Sequence, residues 1–213
     1  MAPEKTPKNQ EHFEFIIKTP SPENWRKIAA LIARSIPNAL ISKLGLRFGA
    51  IYYKNIASHQ LSCSYAAFTK DGELAGVIIG TIDHELVQKP KLSIMIRLLL
   101  ASNFRILSPS AFRWLLHGWR TKNETKHHRI LFPKAELMIL TVDEKYRGNH
   151  LANRLIEKLE SFYNEKNIKD TYLILTEESN QAANYLYEKI GARFIKTYSY
   201  HGKRINAWEK GLS

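Results

Sequence analysis

The chain has 213 residues, with 44% hydrophobic and 24% charged side chains, 10 Gly and 8 Pro. These figures exclude a collagen-like or largely disordered protein and allow one domain with a full core. Its single cysteine, Cys63, excludes an internal disulfide framework and a four-cysteine zinc site. Lys and Arg number 32 against 20 Asp and Glu, a net charge of +12 that attracts polyanions without distinguishing nucleic acid, anionic lipid or a phosphorylated small molecule. The start of the chain lacks the apolar run of a secretory signal. The apolar stretch at 92–101 contains Arg97 and is far short of a membrane span. A cytoplasmic location is expected.

In chain order, residues 1–12 are polar and predict a loose tail. Phe13 to Lys18 predicts a strand. Ser21-Pro22-Glu23 starts a helix carrying Trp25, Ile28, Ala29 and Ile32, which Pro37 stops. From Asn38 the spacing of Leu40, Ile41, Leu44, Phe48, Ile51 and Tyr52 predicts one more helix. Ser62 to Phe68 and Leu74 to Ile82 predict two strands of a hairpin turning at Asp71-Gly72. Residues 84–134 form a basic insertion with ten Lys/Arg against Glu85 and Glu124, and two helical patterns at 91–105 and 109–120.

Alternation of strand and helix then resumes. A strand over 135–142 leads to a helix with Leu151, Leu155, Ile156, Leu159 and Phe162 on one face. A strand over 171–176 precedes a helix capped by Ser179 or Asn180 and ended by Gly191. Two strands, 192–200 and 204–212, close the chain around His201-Gly202.

The chemistry lies between 135 and 191. A strand running into a short glycine-containing turn leaves the first N–H groups of the next helix unpaired. Together with the helix dipole they make an anion site suited to a pyrophosphate. Here the turn is Arg147-Gly148-Asn149-His150-Leu151-Ala152. Arg147 adds a charge, and Gly148 and Ala152 let a phosphate come close to the backbone.

That turn resembles the phosphate turn of the GCN5-related N-acetyltransferase (GNAT) superfamily, Gln/Arg-x-x-Gly-x-Gly/Ala, with His150 standing at the central glycine. Downstream, Asn180, Ala183, Leu186, Tyr187 and Gly191 meet the family pattern Asn-x-x-Ala-x-x-Leu-Tyr-x-x-x-Gly. The resemblance implies an α/β fold: a single GNAT-like domain over 13–213, with a mixed, mostly antiparallel central sheet, splayed parallel central strands and helices on both faces. The 84–134 block is then a helical insertion. It also implies acetyl transfer from acetyl-CoA, without a metal, to a primary amine by direct attack in a ternary complex.

On that resemblance the backbone of Asn149, His150, Leu151, Ala152 and Asn153 holds the pyrophosphate beside Arg147 and Gly148. The strand with Leu140 and Val142 pairs with the pantetheine arm, as a strand edge pairs with a peptide. Asn180 and Ala183 flank the cofactor. Tyr187 is the expected general acid for the leaving thiolate and Glu136 the candidate base, with Glu178 and Asp83 as alternatives. Cys63 needs no covalent role and is expected in the core. His127-His128 lacks companions at metal-ligand spacing.

The acceptor is expected to be a small-molecule or peptide amine. An anionic acceptor, such as an amino sugar on a nucleotide, suits the charge. The alternative is a nucleic-acid or anionic-membrane-surface protein that uses the basic block. No nucleic-acid motif appears, which counts against the first. The block leaves peripheral membrane contact open.

Overall fold

The computed structural model describes residues 13–37, 39–87, 92–103, 132–168, 170–200 and 202–212. Seven strands form one sheet in the order β1-β2-β3-β4-β5-β7-β6. The strands are β1 (Phe15–Lys18), β2 (Ser62–Thr69), β3 (Leu74–Thr81), β4 (Glu136–Val142), β5 (Thr171–Glu177), β6 (Arg193–Tyr200) and β7 (Lys203–Gly211). All neighbours are antiparallel except β4 and β5.

The helices are α1 (Trp25–Ser35), α2 (Leu40–Lys43), α3 (Leu46–Ala57), α4 (His84–Val87), α5 (Leu92–Ala101), α6 (Leu151–Glu165) and α7 (Gln181–Lys189). Period-2 alternation sorts the strand side chains between two cores. Cys63, Ala67, Ile78, Leu137, Tyr172 and Ile174 face α6 and α7. Ala66, Phe68, Val77 and Ile79 face α1 and α3. Cys63 is thus a core residue, and burial pushes its thiol up to about 12, which keeps it out of nucleophilic chemistry at neutral pH.

Two expectations need correction. The single helix expected from Asn38 onward is two, because Gly45 takes φ 101° and breaks the run between Lys43 and Leu46. The helix expected over 91–105 spans 92–101, ending in a turn where Asn103 has φ 48°. The tail at 1–12, the pattern at 109–120 and His127-His128 lie outside the described residues.

Two features of the sheet make the site. On β3, Gly76 and Gly80 face α6; a Cβ at Gly80 would lie 2.2 Å from Leu159 Cδ1 and 2.8 Å from the Tyr163 hydroxyl. The bare backbone therefore lets α6 settle close to the sheet. On β4, Ile79 pairs with Ile139 but Gly80 pairs with Leu137, so Met138 is an extra residue, a β-bulge. The bulge reverses the phase of the strand. Leu137 before it and Leu140 and Val142 after it lie on the α6 side, while Met138 and Ile139 both lie toward α1 and α3.

Candidate active site

β4 and β5 pair only at Glu136–Leu173 and Leu137–Ile174. Pairing stops where the bulge begins. A bulge bends its strand and raises local twist, so β4 diverges from β5 over its last five residues. The result is a wedge through the sheet, closed at Glu136 and open toward the end of β4, where the edge of 139–142 is left for another partner.

The open end of the wedge meets the 147–153 turn. The approach is anchored by Tyr146, whose buried ring meets Phe15 edge-on at 5.6 Å and whose hydroxyl bonds Glu73 at 2.5 Å. Gly148 takes φ 85° with nothing within 4 Å of where a Cβ would sit. The Asn149 side-chain amide donates to the Tyr146 carbonyl at 3.2 Å. The first helical bond of α6 is from Arg154 N–H to the His150 carbonyl, and His150 supplies no side-chain cap. The N–H groups of residues 148–153 therefore meet no acceptor among the described residues. Six donors at the positive end of a 15-residue helix form an anion cradle. Arg147 is exposed beside it, its guanidinium resting on the Val142 carbonyl at 3.3 Å and Glu144 at 3.4 Å.

His150 adopts φ 54°, ψ 15°, the left-handed region, with its side chain exposed. A Cβ there costs about 1–2 kcal/mol. Glycine would remove that strain but add unfolded-chain entropy of about 0.4–1 kcal/mol. His150→Gly is therefore expected to stabilise the protein by about 0.5–1 kcal/mol, a rise of about 1–4 °C in melting temperature. A lowered melting temperature would contradict the strain argument. CoA affinity that is preserved or tighter identifies the ring as a bystander, and weakened affinity identifies it as a phosphate donor.

At the closed end, Glu136 is buried with 7% exposure, not in solvent at a strand edge. Its Oε2 lies 3.6 Å from Nδ1 of His84, which is itself 2% exposed. The same Nδ1 is 2.9 Å from the Lys134 carbonyl. A carbonyl only accepts, so Nδ1 carries the hydrogen. The His84 Nε2 is buried without a hydrogen-bond partner among the described residues. Tyr52 of α3 belongs to this neighbourhood: burial foremost, then Glu136 and Tyr200, push its phenol up to about 12. His84, Tyr52 and Tyr200 escaped the sequence reading because nothing in their local sequence links them to a glutamate far away in the chain.

Tyr187 of α7 is 5% exposed and belongs to the core on the α6 side. Leu137, next to Glu136, faces that side, so alternation turns Glu136 toward the other. The two flank the wedge from opposite faces of the sheet. Burial raises the Tyr187 phenol well above its ordinary value, so it keeps its proton at neutral pH. Asn180 caps α7, its side-chain oxygen accepting from Ala183 N–H at 3.2 Å.

The alternative bases are engaged elsewhere. Glu178 is exposed and paired with Arg204, which lowers its pKa. Asp83 accepts from the N–H groups of Glu85 and Leu86 at the start of α4. Among the described residues, no group of three or more His, Cys, Asp or Glu is placed to hold a metal.

Residues 122–192 match the family model for the acetyltransferase (GNAT) family. That match takes in β4, the 147–153 turn, α6, β5 and α7. The splayed β4–β5 pair and the turn before α6 fall on the GNAT resemblance seen in the residues. Solved structures share the fold at low identity. An acetyltransferase is 15% identical with a TM-score of 0.60, covering 93% of this chain and 100% of that one. An N-acetyltransferase from Staphylococcus aureus Mu50 is 14% identical with a TM-score of 0.57, covering 94% and 99%. Arabidopsis thaliana NAA60 in complex with acetyl-CoA is 16% identical with a TM-score of 0.57, covering 93% and 99%. No curated protein matches the chain in sequence.

Proposed function

We propose that this GNAT-like domain transfers an acetyl group from acetyl-CoA to a primary amine, by direct attack in a ternary complex. The observation that carries the reading is the row of six unpaired N–H groups at 148–153, set at the mouth of a wedge between two strands. A pyrophosphate fits the first, with Arg147 beside it. An extended chain with amides fits the second: the 139–142 edge of β4, with Leu140 and Val142, offers it strand-like hydrogen bonds. The acetyl thioester then lies toward the closed end, between Glu136 and Tyr187. Neighbouring structures, NAA60 with acetyl-CoA and the NatC complex bound to Gag peptide and CoA, support the same co-substrate.

In this arrangement the amine nitrogen bonds to the thioester carbonyl carbon and the carbon–sulfur bond breaks. Glu136 accepts the proton that the amine gives up. His84, its Nδ1 hydrogen given to the Lys134 carbonyl, packs beside the carboxylate with Nδ1 3.6 Å from Oε2. Tyr187 supplies a proton to the departing sulfur. Glu136→Gln keeps the shape and removes the acceptor, so turnover is expected to fall by ~10²-fold. The loss should be steepest at low pH, where more of the amine is protonated. A flat loss or none would move the base elsewhere.

The deciding experiment has two arms. Calorimetry should show acetyl-CoA and CoA binding, and a thiol-release screen over small-molecule and peptide amines should find an acceptor. No binding of either nucleotide at millimolar concentration would end the proposal.

A further inference from the structure

Helix α5 is apolar on two sides, and among the described residues only one is covered. Ile94, Leu98 and Ala101 pack inward on Leu44 and Phe48. The outward side presents Leu92, Met95, Ile96 and Leu100, spaced i, i+3, i+4 and i+8, at 71%, 53%, 52% and 56% exposure. A contiguous apolar stripe of this kind on a surface helix marks an interaction face.

The charge around it says what kind of face. No Asp or Glu occurs between Asn24 and Lys70, or between Leu86 and Asn123. The helical layer of α2, α3 and α5 therefore contains cations and no acids. Lys43, Arg47, Lys54 and Arg97 have no carboxylate partner among the described residues. Arg97 is exposed beside the stripe, one position past Ile96.

We propose that this layer docks on an anionic bilayer surface, with α5 lying in the interface and its outer stripe against the acyl chains. A short amphipathic helix with apolar residues outward and cations at its margin meets both needs of such a site, apolar burial and attraction to acidic headgroups. A second copy fits less well, because a two-fold pair would bring like charges together with no acid to offset them. A nucleic acid would use the cations but leave the stripe in water.

The test is flotation of the full chain with vesicles of phosphatidylcholine alone or with added phosphatidylglycerol. Binding is expected to the anionic vesicles only. The triple change Leu92→Ser, Ile96→Ser and Leu100→Ser is expected to weaken it by about tenfold or more, with the melting temperature checked in parallel. Arg47→Glu with Arg97→Glu, which leaves the apolar face intact, should weaken it several-fold and serves if the serine variant fails to fold. Absence of binding to anionic vesicles overturns the proposal, as does binding that the serine variant leaves unchanged. A dimer in light scattering that the serine variant converts to monomer assigns the face to a second copy and overturns it equally.

Discussion

Tyr187→Phe is expected to lower kcat by ~10²-fold, the scale of one positioned acid, while acetyl-CoA affinity stays within a few-fold. The ring of Tyr187 is core, 5% exposed on α7, and phenylalanine keeps that packing. Only the hydroxyl is lost, and no described residue hydrogen-bonds it. The fold therefore should not notice the change, and melting temperature is the control. The pH dependence has a definite sign. Burial raises the phenol above its ordinary value, so the proton needed for thiolate departure is present throughout the neutral range and is lost only in strong alkali. The wild-type rate should show no alkaline fall from this group below about pH 10. Rapid-mixing measurement of thiol release, with acceptor saturating, checks both points. A Tyr187→Phe enzyme with full turnover would remove the residue from the chemistry.

Gly80→Ala is expected to be the most damaging single methyl. The added carbon would sit 2.2 Å from Leu159 Cδ1 and 2.8 Å from the Tyr163 hydroxyl. Both side chains are fully buried, so neither can swing away without displacing its own neighbours. Overpacking of this kind costs about 1–3 kcal/mol and occasionally more; a clash this deep belongs at about 3. For a chain of this size that lowers the melting temperature by roughly 6–12 °C. The same push acts on α6, whose first turn is the proposed phosphate cradle, so CoA affinity should fall as well. Gly72→Ala is the control, since nothing lies within 4 Å there although its φ is 80°. It should cost stability through backbone strain without touching CoA affinity. A melting temperature for Gly80→Ala within about 2 °C of wild type would mean that α6 does not lie as close to β3 as described.

The residues alone determined the two strands of the hairpin at Asp71-Gly72 and the order of strands and helices from β4 onward. They also placed the turn at 147–153 and Tyr187 on a helix after it. These are local matters. A helix such as α6 declares its buried face through the spacing of Leu151, Leu155, Ile156 and Leu159, and its anion cradle follows from where the helix starts. The resemblance implied splayed strands, but only the tertiary structure decided where and why they part. Residues 136–142 look like any buried apolar strand, and the extra residue at Met138 exists only relative to Gly80 and Ile79 on the neighbouring strand. Register belongs to a pair of strands, so one strand's composition does not contain it. For the same reason Glu136 could be named from its strand while its burial against His84 could not. The contact needs α4, β4 and the Lys134 carbonyl folded onto one another, and no spacing in the chain brings them together.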